Sequence, residues 1–125
     1  VVKRIRPNER VRETDNHPGL SREIAISSET VGSGGIYASV LRTPPGGRTL
    51  VHHHGDCETS IYIVSGRARF TWGPTGTEHE TIADPGDFIY VPANEVHVEA
   101  NVSLTEALEV IVTRNCAEPV TIVVE

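Results

Sequence analysis

Short β-prone runs, each stopped by glycine or proline, constrain this chain more than any other feature. The runs cover residues 24–26, 36–42, 49–54, 60–64, 67–72, 79–82, 87–91, 96–100, 107–113 and 120–124. Between them lie Gly32-Ser33-Gly34-Gly35, Pro44-Pro45-Gly46-Gly47, Ser65-Gly66, Gly73-Pro74-Thr75-Gly76, Asp84-Pro85-Gly86 and Pro92-Ala93-Asn94. Glycine opens positive φ and proline removes a backbone donor, so each cluster ends a strand for a physical reason. No segment carries an apolar stripe of helical period bounded by caps. Residues 104–108 come nearest, and they run into the β-branched Val110-Ile111-Val112. The expectation is an all-β sandwich or barrel over residues 21–125. Residues 1–20, poor in apolar side chains, read as an extended arm.

At 125 residues the chain supports one core. A net charge of −6 argues against a nucleic-acid partner, which calls for a basic face. The basic start, Lys3, Arg4, Arg6, Arg10 and Arg12, reads as a solvated arm or as a complement to an acidic surface on a partner subunit. No apolar run is long enough to span a membrane, and the first residues lack a signal-peptide pattern. A soluble, cytoplasmic protein with no membrane partner follows as the expectation, with Cys57 and Cys116 as two reduced thiols.

The chemistry concentrates in two segments. In a strand, alternate side chains share a face, so His52 and His54 point one way and His53 the other. Two imidazoles so placed can converge on one metal ion, and a third ligand must come from elsewhere in the chain. His97 is the natural candidate. If His97 faces inward so does Glu99, while Val96, Val98 and Ala100 face outward and need cover. Glu99 is then either a general base, or a partner orienting an imidazole, or an ordinary carboxylate on a polar face. His17 and His79 read as exposed. Cys57 is either a soft ligand beside the site or a small buried loop residue, and Cys116 reads as structural.

These segments resemble the two sequence motifs of the cupin family. The first is matched by Gly46-x5-His52-x-His54-x3-Glu58-x7-Gly66, the second by Gly86-x5-Pro92-x-Asn94-x2-His97-x3-Asn101. Asn94 stands where the family has glycine, and asparagine tolerates the left-handed backbone such a turn requires. The resemblance implies a jelly-roll barrel, a double-stranded β-helix, with one metal held by His52, His54, His97 and a carboxylate. Glu58 is the carboxylate at hand and is taken as the fourth ligand. The spacing to Gly66 places Thr59 at the family's ligand position instead, which would bring Thr59, Ile61 and Ile63 inward and leave three histidines. The resemblance also implies a homodimer, with the N-terminal arm exchanged or packed between subunits.

Three imidazoles leave open coordination positions on Fe(II), Mn(II), Ni(II) or Co(II), and one on Zn(II). The expected function is a metal-dependent enzyme of dioxygenase, isomerase, decarboxylase or cyclase type acting on a small organic substrate. Glu99 or Glu58 would move a proton, and Ile61, Tyr62, Ile63 and Tyr90 would line the pocket. The alternative is a non-catalytic module that binds a small metabolite.

Overall fold

Turn chemistry and strand alternation are realised as two antiparallel sheets in the computed structural model, which describes residues 1–13 and 17–124. The strands are β1 (Val11–Glu13), β2 (Ser21–Ile26), β3 (Tyr37–Thr43), β4 (His52–His53), β5 (Thr59–Ser65) and β6 (Ala68–Trp72). They continue as β7 (His79–Ala83), β8 (Phe88–Val91), β9 (His97–Asn101), β10 (Leu108–Arg114) and β11 (Ile122–Val123). One sheet has the order β1-β2-β3-β10-β5-β8 and the other β11-β4-β9-β6-β7. Every expected run from 24–26 onward overlaps one of these strands.

Inward residues alternate as a half-buried strand requires. Along β5, Thr59, Ile61 and Ile63 are buried while Ser60 and Val64 are exposed. Ile61 and Ile63 join Leu41, Phe70, Leu108, Val110 and Val112 in a core between the sheets. Gly66 turns β5 into β6 at φ 89°, and a Cβ there would sit 2.7 Å from the carbonyl oxygen of Ala107, so only glycine fits.

The cover required by the outer face of β9 comes from the chain itself. Val98 is buried, and Gly76, at φ 85°, approaches so closely that an added Cβ would lie 2.9 Å from Val51 and 3.8 Å from Val98.

The N-terminal segment is a solvated arm only in part: residues 1–4 and 6–9 are exposed, and the chain after them joins the sheet. Val11–Glu13 pairs antiparallel with β2, matching Val11 with Ile24 and Glu13 with Arg22. Arg10 pairs with Glu23 at 3.3 Å, and Lys3 Nζ donates to the Val31 carbonyl at 3.0 Å. Backbone pairing to an open sheet edge orders a segment whose own apolar content is low. The part of the arm at residues 14–16 lies outside the described residues.

The two cysteines are a second correction. Cys57 and Cys116 form a disulfide, with Cα atoms 5.8 Å apart, so neither is a reduced thiol and Cys57 is not a soft ligand. The bond ties the loop after His54 to the end of β10.

Candidate metal centre

The register of the five-stranded sheet builds the site. His52 of β4 lies opposite His97 of β9, and His97 lies opposite Trp72 of β6. Cross-strand partners share a face, so one row across the inner face reads His52, His97, Trp72. The neighbouring row pairs Glu99 with Phe70. His54 follows β4, and its ring centroid lies 4.8 Å from that of His52 and 5.1 Å from that of His97. The ligating atoms of His52, His54 and His97 all lie within 4.8 Å of one another, and all three residues are buried.

Each ring is oriented by a backbone carbonyl. Nδ1 of His52 meets the Leu50 oxygen at 2.7 Å, Nδ1 of His54 the Val120 oxygen at 2.7 Å, and Nδ1 of His97 the Glu95 oxygen at 2.8 Å. A carbonyl only accepts, so Nδ1 carries the proton in all three and Nε2 keeps its lone pair. Burial drives every ring towards the neutral form. It holds His97 down at about 4 and His54 at about 2, the latter helped by the positive charge of Arg114. His52 lies lower still, through burial and then its imidazole neighbours His97, His54 and His17. Neutral imidazoles with free, converging Nε2 atoms are the donor set a divalent transition metal needs, so these residues fit such an ion.

The histidines border a small space of about 10 Å³, room for one small ion or one water. Arg22, Thr49, Ile61, Glu99 and Arg114 also line it. Glu99 is 3 % exposed, and its Oε2 has no hydrogen-bond partner among the described residues. Burial pushes its carboxyl up to about 7, against the opposing pull of Arg22. Glu99 is thus placed in the cavity, as strand alternation from His97 predicts, and is not an exposed carboxylate.

Glu58 is placed elsewhere. It is exposed; its Oε2 accepts from Asn115 Nδ2 at 2.9 Å, and its Oε1 accepts from the Tyr90 hydroxyl. The cause is register: β5 opens at Thr59, which pairs with Val91 and Arg114, and that pairing turns Thr59 inward and Glu58 outward. The loop 55–57 does not reset the alternation. Thr59 does not border the small cavity either, so the group that could hold an ion is three histidines without a carboxylate from this segment.

Of the expected pocket residues, Ile61 borders the small cavity and Ile63 is wholly in the core. Tyr62 faces outward and packs on Phe88, ring centroids 4.8 Å apart. Tyr90 is largely exposed, at the rim of a larger cleft that also reaches His97. His53 points away, as alternation requires, and accepts from the Gly55 N–H at 3.0 Å. His79 is exposed as expected.

His17 is the residue that sequence reasoning misplaced. It is buried at 1 % exposure, its ring centroid is 4.5 Å from that of His52, and its Nδ1 accepts from the Leu50 N–H at 3.1 Å. Leu50 therefore receives His52 on its carbonyl and supplies His17 from its amide. A lone histidine before Pro18-Gly19 carries no periodicity, so no local signal marks it.

Comparison with known proteins agrees with this geometry. No curated protein matches the sequence. Among solved structures, the polyketide cyclase RemF from Streptomyces resistomycificus superposes with a TM-score of 0.78 at 21 % identity, covering 100 % of this chain and 87 % of that one. A Bacillus subtilis oxalate decarboxylase mutant gives 0.77 at 24 % identity, over 93 % of this chain and 30 % of that one. A Lactobacillus farciminis oxalate decarboxylase gives 0.79 at 20 %, over 94 % and 34 %. This chain thus spans about a third of either decarboxylase, and likeness at such identities speaks for the fold alone. The family model of the cupin domain matches residues 39–113, which hold both motifs and all three metal-site histidines. With that match over more than half its length, the chain belongs to the cupin family.

Proposed function

We propose that this protein is a metal-dependent enzyme acting on a small organic molecule, with one divalent transition-metal ion held by His52, His54 and His97. Fe, Mn, Ni, Co and Zn all suit three imidazole nitrogens. The observation that carries the reading is the set of three neutral, carbonyl-tethered imidazoles sharing one cavity with a buried carboxylate. A structural ion has no use for that carboxylate, and its burial is costly unless something is gained. When bound, the ion would supply Lewis acidity and open coordination positions.

The chain's own residues do the rest. The carbonyls of Leu50, Val120 and Glu95 hold the rings in place, so ordering the ligands costs little at the moment of binding. Glu99, with one oxygen free of hydrogen bonds, accepts a proton from an acidic C–H or O–H of the substrate and returns it to the product. The surrounding Ile61, Leu41 and Val112 keep bulk water from the carboxylate. The reaction type belongs among the cyclase, decarboxylase, isomerase and dioxygenase chemistries, and a homodimer is part of the proposal.

Elemental analysis of protein purified without added metal is the direct test. One equivalent of transition metal per chain is expected, lost in His97→Ala and His54→Ala and kept in Glu99→Gln. Metal content unchanged by both histidine substitutions would overturn the reading. Elution of dilute protein at monomer size would remove the dimer from it.

A further inference from the structure

A cleft of about 330 Å³ reaches His97 from outside, and its walls belong to different sheets. Phe70 and Trp72 of β6 line it on one side and Ile89 and Val91 of β8 on the other, and Pro92 and His97 also border it. His97 borders both this cleft and the small cavity. Trp72 is His97's direct partner across β6 and β9, and Phe70 is Glu99's, so the two aromatic rings lie beside the two groups assigned to chemistry.

Shape and polarity then select a ligand. Facing sheets pack about 10 Å apart, and side chains from both fill most of that, leaving a slot. Trp72 and Phe70 offer π surface, which favours offset or edge contacts with another ring. Apolar atoms make up most of the lining; Thr71, Thr81 and Glu95 add polar side chains, and the Glu95 carbonyl is already taken by His97. A sugar or an aliphatic dicarboxylate buried here would leave several polar atoms unpaired, at a cost in affinity. Phe88 and Tyr90, 71 % and 64 % exposed, extend the lip with further aromatic surface. The volume falls at the lower end of small-molecule sites.

We infer that the cleft takes a flat, conjugated ring compound carrying one oxygen-bearing edge, a phenol, enol or β-diketone, with that edge turned towards His97 and the ring between Trp72 and Ile89. The orientation rests on the proposed function; the ring preference rests on the slot alone.

Trp72 is the only tryptophan in the chain, so its emission reports occupancy directly. The probes are 2-acetyl-1-naphthol, oxalate and glucose, titrated by calorimetry and by Trp72 emission into metal-loaded and chelator-treated protein. Saturable binding of the naphthol with quenching of Trp72, and little heat from oxalate or glucose, is expected. Ile89→Phe should narrow the slot and weaken naphthol binding at least about tenfold, without changing metal stoichiometry. Trp72→Ala, read by calorimetry, should weaken it similarly and covers the case in which the first variant misfolds. No saturable naphthol binding by folded protein overturns the inference, as does tighter binding of oxalate or glucose, or naphthol binding that neither variant alters. Naphthol binding that survives in a protein unable to hold metal leaves the slot standing and removes only the proposed function.

Discussion

The Nδ1–H of His54 donates to the carbonyl oxygen of Val120 at 2.7 Å, across 66 residues of chain. The C-terminal segment is thereby part of the candidate metal site. It is held in place by pairing of Ile122 and Val123 with His53 and His52, and by the Val124 N–H on the Val51 carbonyl at 2.9 Å. Truncation after Cys116 should therefore lower metal affinity by about 10–100-fold, as loss of a ligand-orienting partner does. Titration calorimetry with Zn(II) would read it, and circular dichroism would check that the sheets persist.

The disulfide closes a loop between Cys57 and Cys116, 59 positions apart. Replacing both cysteines by alanine should destabilise the protein by about 2–4 kcal/mol through the freed unfolded chain. Chemical denaturation of the oxidised, reduced and doubly substituted forms would measure this; three coincident midpoints would contradict it.

Glu58 and Glu99 should separate cleanly. Glu58→Gln disturbs only contacts with Asn115 and Tyr90 on the outer surface, so metal stoichiometry should be unchanged. Glu99→Gln should also retain the ion, yet lower turnover of any substrate by about 10²–10⁴-fold, the usual worth of a positioned proton acceptor. Loss of metal in Glu58→Gln would reverse the assignment.

Metal-free protein should be sensitive to acid. Burial holds His97 at about 4 and His54 at about 2, below the ordinary 6.5, with His52 lower still. Glu99 moves the other way, from 4.5 to about 7. Between these ordinary values the unfolded chain takes up protons on three histidines, whereas the folded chain gains one on Glu99. The unfolded state binds more, so stability rises with pH over that window. Above it, the contribution of protonated Glu99 is lost as pH passes about 7, and the curve should level or dip. Melting temperatures of chelator-treated protein from pH 4.5 to 7.5 would show a rise and then a plateau; a steady fall would contradict the burial of neutral rings.

Gly66→Ala should cost about 1–3 kcal/mol. Its backbone lies at φ 89°, and the new Cβ would meet Ala107 O at 2.7 Å and Leu108 Cα at 2.9 Å, both backbone atoms that cannot swing aside. Thermal unfolding would register the change.

What could be read from the sequence was local. His52 and His54 were legible because strand alternation acts over two residues, and Glu99 followed from His97 by the same rule. Asn94 could be read as a left-handed turn residue from its type, and its φ is 61°. Glu58 could not be resolved, because its facing depends on where β5 begins, and that is fixed by pairing with Val91 and Arg114, distant in sequence. The same limit hid the Cys57–Cys116 bond. β1 escaped notice because an edge strand with little apolar alternation is ordered by its neighbour's backbone and not by its own side chains. His17 reaches the site from a turn, where no periodicity operates.

The cleft opens between two facing layers, with Trp72 on one and Ile89 on the other. Deeper between the sheets, Ile63, Leu108 and Val110 of one layer share a core with Ala68 and Phe70 of the other. A bulkier residue at one of those interior positions would pry the layers apart and change which molecules enter, while every residue touching the ligand stayed the same. With the proposed ligand in that cleft, selectivity becomes partly a mechanical property, adjustable from a distance.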